Sequence, residues 1–332
     1  MNQTIGKQPS VQDDIKSAND QLAMLRQQWQ GIIVGQQSAL QNILIALLSN
    51  GHVLLEGVPG LAKTLIVRSL AQLLGGQYNR IQFTPDLLPS DIVGTQIFNP
   101  KTHAFETKKG PLFCQFVLAD EINRAPAKVQ SALLEGMQER QVTIGHETHA
   151  LGHPFFVMAT QNPLDQDGTY ALPEAQMDRF LFKIVLTYPT QSEEKQMIQR
   201  FQQGFPSIEA PVMSMAAISK IQQGVNQIYI DDKVSEYIVR LVHATRFPDS
   251  VGLQELTPYI KYGASPRATL AFITAAKAYA FLERRTYVIP EDIKELAPDI
   301  LRHRVHLTFA GQAESMSSDT VIETILSNVE VP

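Results

Sequence analysis

Five short apolar runs punctuate the first 190 positions: HVLLEG (52–57), YNRIQF (78–83), FVLADE (116–121), FFVMATQN (155–162) and FLFKIVL (180–186). Runs of this length, bounded by turn residues, predict buried strands. Between them, LAKTLIVRSLAQLL (61–74) and KVQSALLEGMQE (128–139) carry apolar residues at helical spacing. The alternation predicts an α/β fold with a mostly parallel five-stranded sheet and helices on both faces. Two segments interrupt it. RQVTIGHETHALGHP (140–154) predicts an antiparallel hairpin turning at Gly145. DLLPSDIVGTQIFNPKTHAFETKKGP (86–111) is too polar and glycine-punctuated to be a core helix alone, and connections this long are usually functional or mobile.

After TYPTQSEEK the period changes to that of helices, expected near 192–203, 214–226, 232–246, 265–284, 290–302 and 318–328. Ser192 is the expected cap of the first of these. At the other end, DIKSANDQLAMLRQQWQ is polar and helical, with Leu22, Leu25 and Trp29 on one stripe. The division expected from these shifts is an N-terminal helical arm (1–30), an α/β unit (31–190) and a smaller all-helical unit (191–332).

Composition narrows the class without naming a chemistry. A 44% hydrophobic, 18% charged chain of 332 residues is ordinary for globular proteins. No run has the length of a membrane span and the start has no apolar signal core, which makes the cytoplasm the default expectation. A single cysteine, Cys114, excludes an internal disulfide and a multi-thiolate metal site. The formal charge of −5 weighs against non-specific nucleic-acid binding.

Candidate chemistry begins at EGVPGLAKT (56–64), which follows the first predicted strand and opens a helix. It matches G-x-x-x-x-G-K-[ST] except that Ala62 replaces the second glycine. Backbone N–H groups of such a loop cradle phosphate oxygens, Lys63 reaches the β/γ-phosphates, and the Thr64 hydroxyl ligates Mg²⁺. Alanine before the lysine removes no donor and, as the best helix former, suits a position expected to open the helix. Alone, the stretch could equally be an ordinary glycine turn. FVLADE ends in Asp120 and Glu121, suited to hold Mg²⁺ through its waters and to polarise an attacking water. MATQNP (158–163) brings Asn162 to the next strand end, and LPEAQMDRF (172–180) sets Arg179 just before the fifth strand. The bland reading of Arg179 is a surface ion pair with Asp178. GASPRATLAF (263–272) begins a helix with Ser265 as cap, Pro266 first and Arg267 in the first turn, where a cation opposes the helix dipole.

EGVPGLAKT, VLADEINRAPAKVQSALLEGMQERQVTIG, FFVMATQNP, LPEAQMDRF and GASPRA together resemble the MoxR family of AAA+ ATPases, from Ile33 to about His306. The resemblance implies a P-loop nucleotide-binding core with a helical lid, binding ATP and Mg²⁺ and hydrolysing ATP. It implies Gly57, Val58, Pro59, Gly60, Leu61, Ala62, Lys63, Thr64 and Leu65 around the phosphates, and Val34 and Gly35 of IIVGQQ (32–37) beside adenine. Thr64 and Asp120 serve the metal, Glu121 the water, Asn162 is sensor 1, Arg179 the arginine finger and Arg267 sensor 2. It further implies a homo-oligomeric ring, commonly a hexamer, in which Arg179 completes a neighbour's site; Arg267 is left open between its own nucleotide and a neighbour's. Such rings remodel protein clients, often with a von Willebrand factor A domain partner and in some cases in metal-cofactor maturation. The insertions at 86–111 and 142–153 are then the expected client surfaces.

Three other functions compete: the ATPase subunit of a metal chelatase, a nucleic-acid motor, and a scaffold that binds nucleotide without turnover. Lesser signals read blandly. His146, His149 and His153 suit a polar hairpin better than a metal site, and the RHRVH run (302–306) is expected to be a solvated or interface face.

Overall fold

The computed structural model describes residues 11–162, 170, 172–204 and 206–332, with backbone alone for 11–17. Residues 1–10 of the expected arm and Pro163 of MATQNP lie outside the described residues. In chain order the strands are β1 Val53–Glu56, β2 Tyr78–Gln82, β3 Gly94–Asn99, β4 Ala104–Lys109, β5 Phe116–Asp120, β6 Gln141–Ile144, β7 Glu147–Ala150, β8 Phe156–Gln161, β9 Phe182–Val185, β10 Ile260–Tyr262 and β11 His306–Leu307. The five predicted strands β1, β2, β5, β8 and β9 form one sheet in the order β2-β5-β8-β1-β9, paired parallel throughout.

Strand alternation divides the core into two layers. Val53, Leu55, Phe116, Leu118, Phe156 and Met158 face one side, with Ile43 and Leu47 of helix Gln37–Leu48 and Ile66 and Leu70 of helix Lys63–Leu73. Leu54, Val117, Ala119, Val157 and Ala159 face the other, with Val129, Leu133 and Met137 of helix Ala127–Glu139. Each large apolar side chain so removed from water contributes about 1.5–3 kcal/mol. The first helix, Val11–Ile32, buries its Leu22, Leu25 and Trp29 stripe in the first layer, and the Trp29 indole donates to Ser69 Oγ at 2.9 Å. It is packed into the core rather than standing off it.

Both insertions are hairpins. β6 and β7 pair antiparallel around Gly145, as expected. Residues 86–111 form the short helix Pro89–Val93 and a second antiparallel hairpin, β3 with β4. Its polar outer positions hid the alternation. The longer C-terminal helices are Gln191–Gln203, Met215–Asn226, Asp232–Ala244, Pro266–Leu282, Pro290–Leu301 and Ser318–Asn328, close to the expected spans, and a short one, Phe309–Ala313, was not expected. Two other details differ. Thr190, not Ser192, caps the first: its hydroxyl accepts from Glu193 N (3.3 Å) while the Glu193 carboxylate accepts from Thr190 N (2.7 Å), a reciprocal box that needs its acid three residues on. The region is also not purely helical, because β10 and β11 form a two-stranded antiparallel ribbon.

Candidate nucleotide site

Two groups of polar side chains gather at opposite ends of the sheet. At the carboxyl end of β1 the chain enters residues 57–62 and then helix Lys63–Leu73. Gly57 is buried, and a Cβ there would come within 3.1 Å of Leu186 Cβ, so the loop packs tightly on the residue that follows β9. Gly60 (φ 91°) and Ala62 (φ 56°) are left-handed on either side of Leu61. Such alternation turns successive N–H groups inward to form a concave anion nest. Among the described residues the N–H groups of Gly60, Leu61, Ala62 and Thr64 make no hydrogen bond to protein. Four backbone donors of one loop are thus left for a ligand.

The structure corrects the reason given for Ala62. It precedes the helix as a left-handed cap, the conformation glycine adopts freely, so its methyl costs about 1–2 kcal/mol rather than helping the helix start. The Lys63 ammonium folds back over the loop and donates to Gly57 O at 2.6 Å. Thr64, half-buried in the first turn, stands beside it.

β5 delivers Asp120 and Glu121 next to this loop because β8 alone separates β5 from β1. Asp120 accepts from Thr160 Oγ1 at 2.6 Å and from the Arg80 guanidinium at 3.0 and 2.5 Å. Thr160 in turn accepts from Glu121 N at 2.9 Å, so one fully buried hydroxyl fixes both acids. Glu121 is itself left-handed (φ 56°), a strained conformation of the kind that clusters at functional sites. Its Oε2 is held by Gln82 Nε2 (2.9 Å) and by Arg124 Nε (3.2 Å). Asn162, buried, follows β8 between the two strands that carry the loop and the acids. Gly35, next to Val34, lies against the first turn of helix Gln191–Gln203: a Cβ on it would meet the Glu193 carboxylate at 2.7 Å. That segment is fastened by Gln36 Nε2 donating to Thr187 O (2.7 Å) and Arg200 Nη1 donating to Gly31 O (2.5 Å).

A nucleoside triphosphate with Mg²⁺ fits this end. The donor nest and Lys63 match phosphate oxygens, and Thr64 with Asp120 offers the hard oxygen donors Mg²⁺ takes. Arg80 now balances Asp120, and its side chain is 48% exposed, so it can withdraw without opening the core.

Arg179 and Arg267 are elsewhere. With Asp178, Arg304, Ser49, Gly51 and His52 they line a cavity of about 350 Å³ at the amino ends of β1 and β9. That is roughly 16 Å along β1 from the phosphate loop, at 3.3 Å per residue. Three arginines and one aspartate line it. His52 adds no charge: burial pushes its pKa down to about 4. Its Nδ1 accepts from Val157 N (3.1 Å), leaving Nε2 to donate to Met137 O (3.1 Å). The cavity is therefore cationic, and Arg179 Nε is buried within it without a hydrogen-bond partner among the described residues.

The surface ion pair with Asp178 that was the alternative account of Arg179 is not among the ion pairs of the described residues. Asp178 bonds Arg304 Nε at 2.7 Å and Ser265 Oγ at 2.7 Å, and lies 3.8 Å from Arg267 Nη1. Nor is RHRVH a solvated face: His303 and Arg304 are 3% and 4% exposed. Arg80, Gln82, Arg124, Thr160, Asp178 and Arg304 were not singled out for the site from the sequence. Arg80 with Gln82, and Thr160 with Asn162, share strand faces at the two-residue period, which was the available signal.

Comparisons with known proteins give the family. Residues 52–182 match the model described as "ATPase family associated with various cellular activities (AAA)", and 255–325 match "AAA lid domain". The chain is 48% identical to Chaperone MoxR1 of Mycobacterium tuberculosis over 301 residues, 91% of this chain and 80% of that one. It is 30% identical to Protein MoxR of Paracoccus denitrificans, over 91% of this chain and 94% of the relative. A crystal structure from Cytophaga hutchinsonii, described as a "putative ATPase", superposes with a TM-score of 0.91 at 48% identity, covering 96% and 97% of the two chains. No helix among the described residues is long and apolar enough to cross a membrane. With the sheet order, the phosphate-type loop and these matches, the chain belongs to the MoxR family of AAA ATPases.

Proposed function

We propose that this ATPase hydrolyses ATP with Mg²⁺ as part of a ring, commonly of six subunits, and uses the cycle to remodel partner proteins. Residues 31–190 form the nucleotide-binding unit in this reading and 191–332 the lid, with 1–30 as the N-terminal helical arm. The observation that carries it is the separation of the site's halves. Donor nest, acids and Asn162 occupy one end of the sheet, while Arg179 and Arg267 share a cationic cavity at the other. One subunit cannot bring both halves to one nucleotide, but the cavity of one against the loop of the next can. Both arginines then act on the neighbour's phosphates.

The chain's own groups have distinct tasks. The N–H groups of residues 60–64 bind phosphate oxygens, and Lys63 exchanges Gly57 O for the β/γ-phosphates. Thr64 and Asp120 would hold Mg²⁺, which when bound would neutralise charge on the phosphate oxygens. Gln82 and Arg124 orient Glu121 through its Oε2, and its carboxylate takes a proton from the attacking water. Asn162 orients that water or the γ-phosphate. A guanidinium supplied from the next subunit stabilises the transition-state charge.

The client is a protein in this reading, reached in the cytoplasm, with a von Willebrand factor A domain protein among the partners. The M. tuberculosis relative's name, Chaperone MoxR1, supports the remodelling role. So does the β3–β4 hairpin, whose Phe98 and Phe105 rings sit 5.5 Å apart while 50% and 69% exposed. Glu121→Gln should retain ATP binding, stop hydrolysis and hold assembled rings on their clients. Turnover at the wild-type rate in that variant would remove Glu121 from its role. Lys63→Ala should lose ATP affinity, and unchanged binding would remove the phosphate-loop assignment.

A further inference from the structure

The sequence run Arg302-His303-Arg304 has no part in the reaction above, yet it is among the most heavily bonded segments of the lid. Arg304 is buried, and its guanidinium donates to the Asp178 carboxylate (Nε, 2.7 Å), to Phe180 O (Nη2, 2.7 Å) and Asp178 O (Nη2, 3.2 Å), and to Leu181 O (Nη1, 3.2 Å) and Ile300 O. His303 Nε2 contacts Phe180 O at 3.0 Å, and Arg302 Nη1 donates to Lys183 O at 2.8 Å. Apart from Ile300 O on the lid helix itself, the carbonyls so engaged belong to residues 178, 180, 181 and 183. These flank Arg179.

Asp178 is the junction. One carboxylate oxygen takes Arg304 Nε; the other accepts the Ser265 hydroxyl at 2.7 Å and lies 3.8 Å from Arg267. Ser265 also caps the helix that begins Pro266-Arg267. Thus a single side chain, preceding Arg179 in sequence, bonds to the helix start that carries Arg267.

We propose that Asp178 is a positioning residue that holds Arg179 and Arg267 as one unit, with Arg304 as the buried anchor that fixes Asp178. Helix stability does not explain Arg267, whose charge opposes the helix dipole; the carboxylate of Asp178 offsets that charge. The forked donors of Arg304 leave its partner little rotational freedom. The lid and the finger segment of one subunit are therefore bolted together, and lid movement carries both arginines with it. This inference rests on the reading of Arg179 as a finger acting on the neighbouring subunit.

The test is Asp178→Asn in the full chain, compared with Arg179→Ala, each measured for ATP affinity and kcat, alone and mixed with Lys63→Ala subunits. Lys63→Ala subunits bind no ATP but keep Asp178 and Arg179. Asp178→Asn should leave ATP affinity within about twofold and lower kcat about 10- to 100-fold, the loss expected of a misplaced catalytic group. Adding Lys63→Ala subunits should restore part of that kcat, because they present correctly held arginines to an intact nucleotide site. A merely structural defect would not be rescued in trans. If Arg179→Ala is rescued but Asp178→Asn keeps wild-type kcat, or is inactive and not rescued, the positioning role is overturned while the finger stands. If Arg179→Ala itself keeps its kcat, the reading beneath the proposal has failed instead. Should Asp178→Asn lose its fold by circular dichroism, Ser265→Ala decides, since it leaves the buried ion pair in place: about a threefold fall in kcat supports the proposal, and unchanged kcat overturns it.

Discussion

In the proposed function the two ends of the sheet solve the same problem, handling phosphate charge, by different physical means. At the carboxyl ends of the strands the donors are mostly backbone: N–H groups aimed by two left-handed residues, with side chains that alternate off β5 and β8. At the amino ends the charge is carried by guanidiniums gathered from residues 179, 267 and 304, with Asp178 among them. A backbone nest is fixed by local φ and ψ and needs few partners. A guanidinium cluster is held only by tertiary bonds, and without its one carboxylate the like charges would repel. The first kind can wait for ligand unaided; the second needs an anchoring lid.

The sharpest way to break this comparison is to remove the finger. Arg179→Ala should leave ATP affinity nearly unchanged while kcat falls about 10³- to 10⁵-fold, the range for arginine fingers. Mixing with Lys63→Ala subunits should restore part of the rate. A large loss of ATP affinity in the single variant would mean that the two ends serve one nucleotide in the same chain.

A second test separates the ends by pH. His52, at the amino end, is held neutral by burial, with its pKa pushed down to about 4 from the ordinary 6.5. The unfolded chain therefore binds a proton that the folded chain refuses between those values. Stability is complete above pH 6.5 and falls as pH drops toward 4, by roughly 3 kcal/mol for this group. His303, also buried with a lowered pKa, acts in the same direction. Urea midpoints measured from pH 7 to 4 should slope less steeply in His52→Gln than in wild type. Parallel curves would show that His52 is protonated without penalty.

The same contrast explains what the sequence disclosed. The five strands, the hairpin at Gly145 and the carboxyl-end groups Lys63, Thr64, Asp120, Glu121 and Asn162 were legible because strand runs and loop motifs are contiguous. Arg179 and Arg267 were legible as candidates, and their meeting in one cavity was not. That meeting depends on Asp178 and Arg304, 126 residues apart, whose pairing leaves no local pattern. RHRVH looked solvated because charge normally signals exposure, and four backbone carbonyls plus a carboxylate reverse that expectation here. Thr190 took the cap from Ser192 because the box needs Glu193 three positions on.

At the carboxyl end, Thr160 is the side chain on which the acids depend. Thr160→Val keeps the shape but leaves Glu121 N and an Asp120 oxygen without their shared partner. Stability should drop by about 1–3 kcal/mol, the cost of unsatisfied buried polar groups. Glu121 should lose its orientation too, lowering kcat about tenfold while Lys63-dependent ATP affinity changes less. Denaturant titration and steady-state kinetics measure the two effects. If neither moves, the hydroxyl is not what positions the acids.

The smallest effect concerns the residue that departs from the usual loop motif. Ala62 sits left-handed at φ 56°, where its methyl costs about 1–2 kcal/mol that glycine would not incur. Glycine would in turn add conformational entropy to the unfolded chain, worth about 0.4–1 kcal/mol in the opposite direction. Ala62→Gly should therefore stabilise the protein by at most about 1.6 kcal/mol. ATP affinity should stay within about twofold, because the N–H donors and Lys63 are untouched. A denaturation midpoint that falls in Ala62→Gly would show that the methyl makes a compensating contact, and a large gain in ATP affinity would show that the strain was holding the nest out of shape. Either result would mean that the backbone end of the site is not as self-sufficient as its geometry indicates.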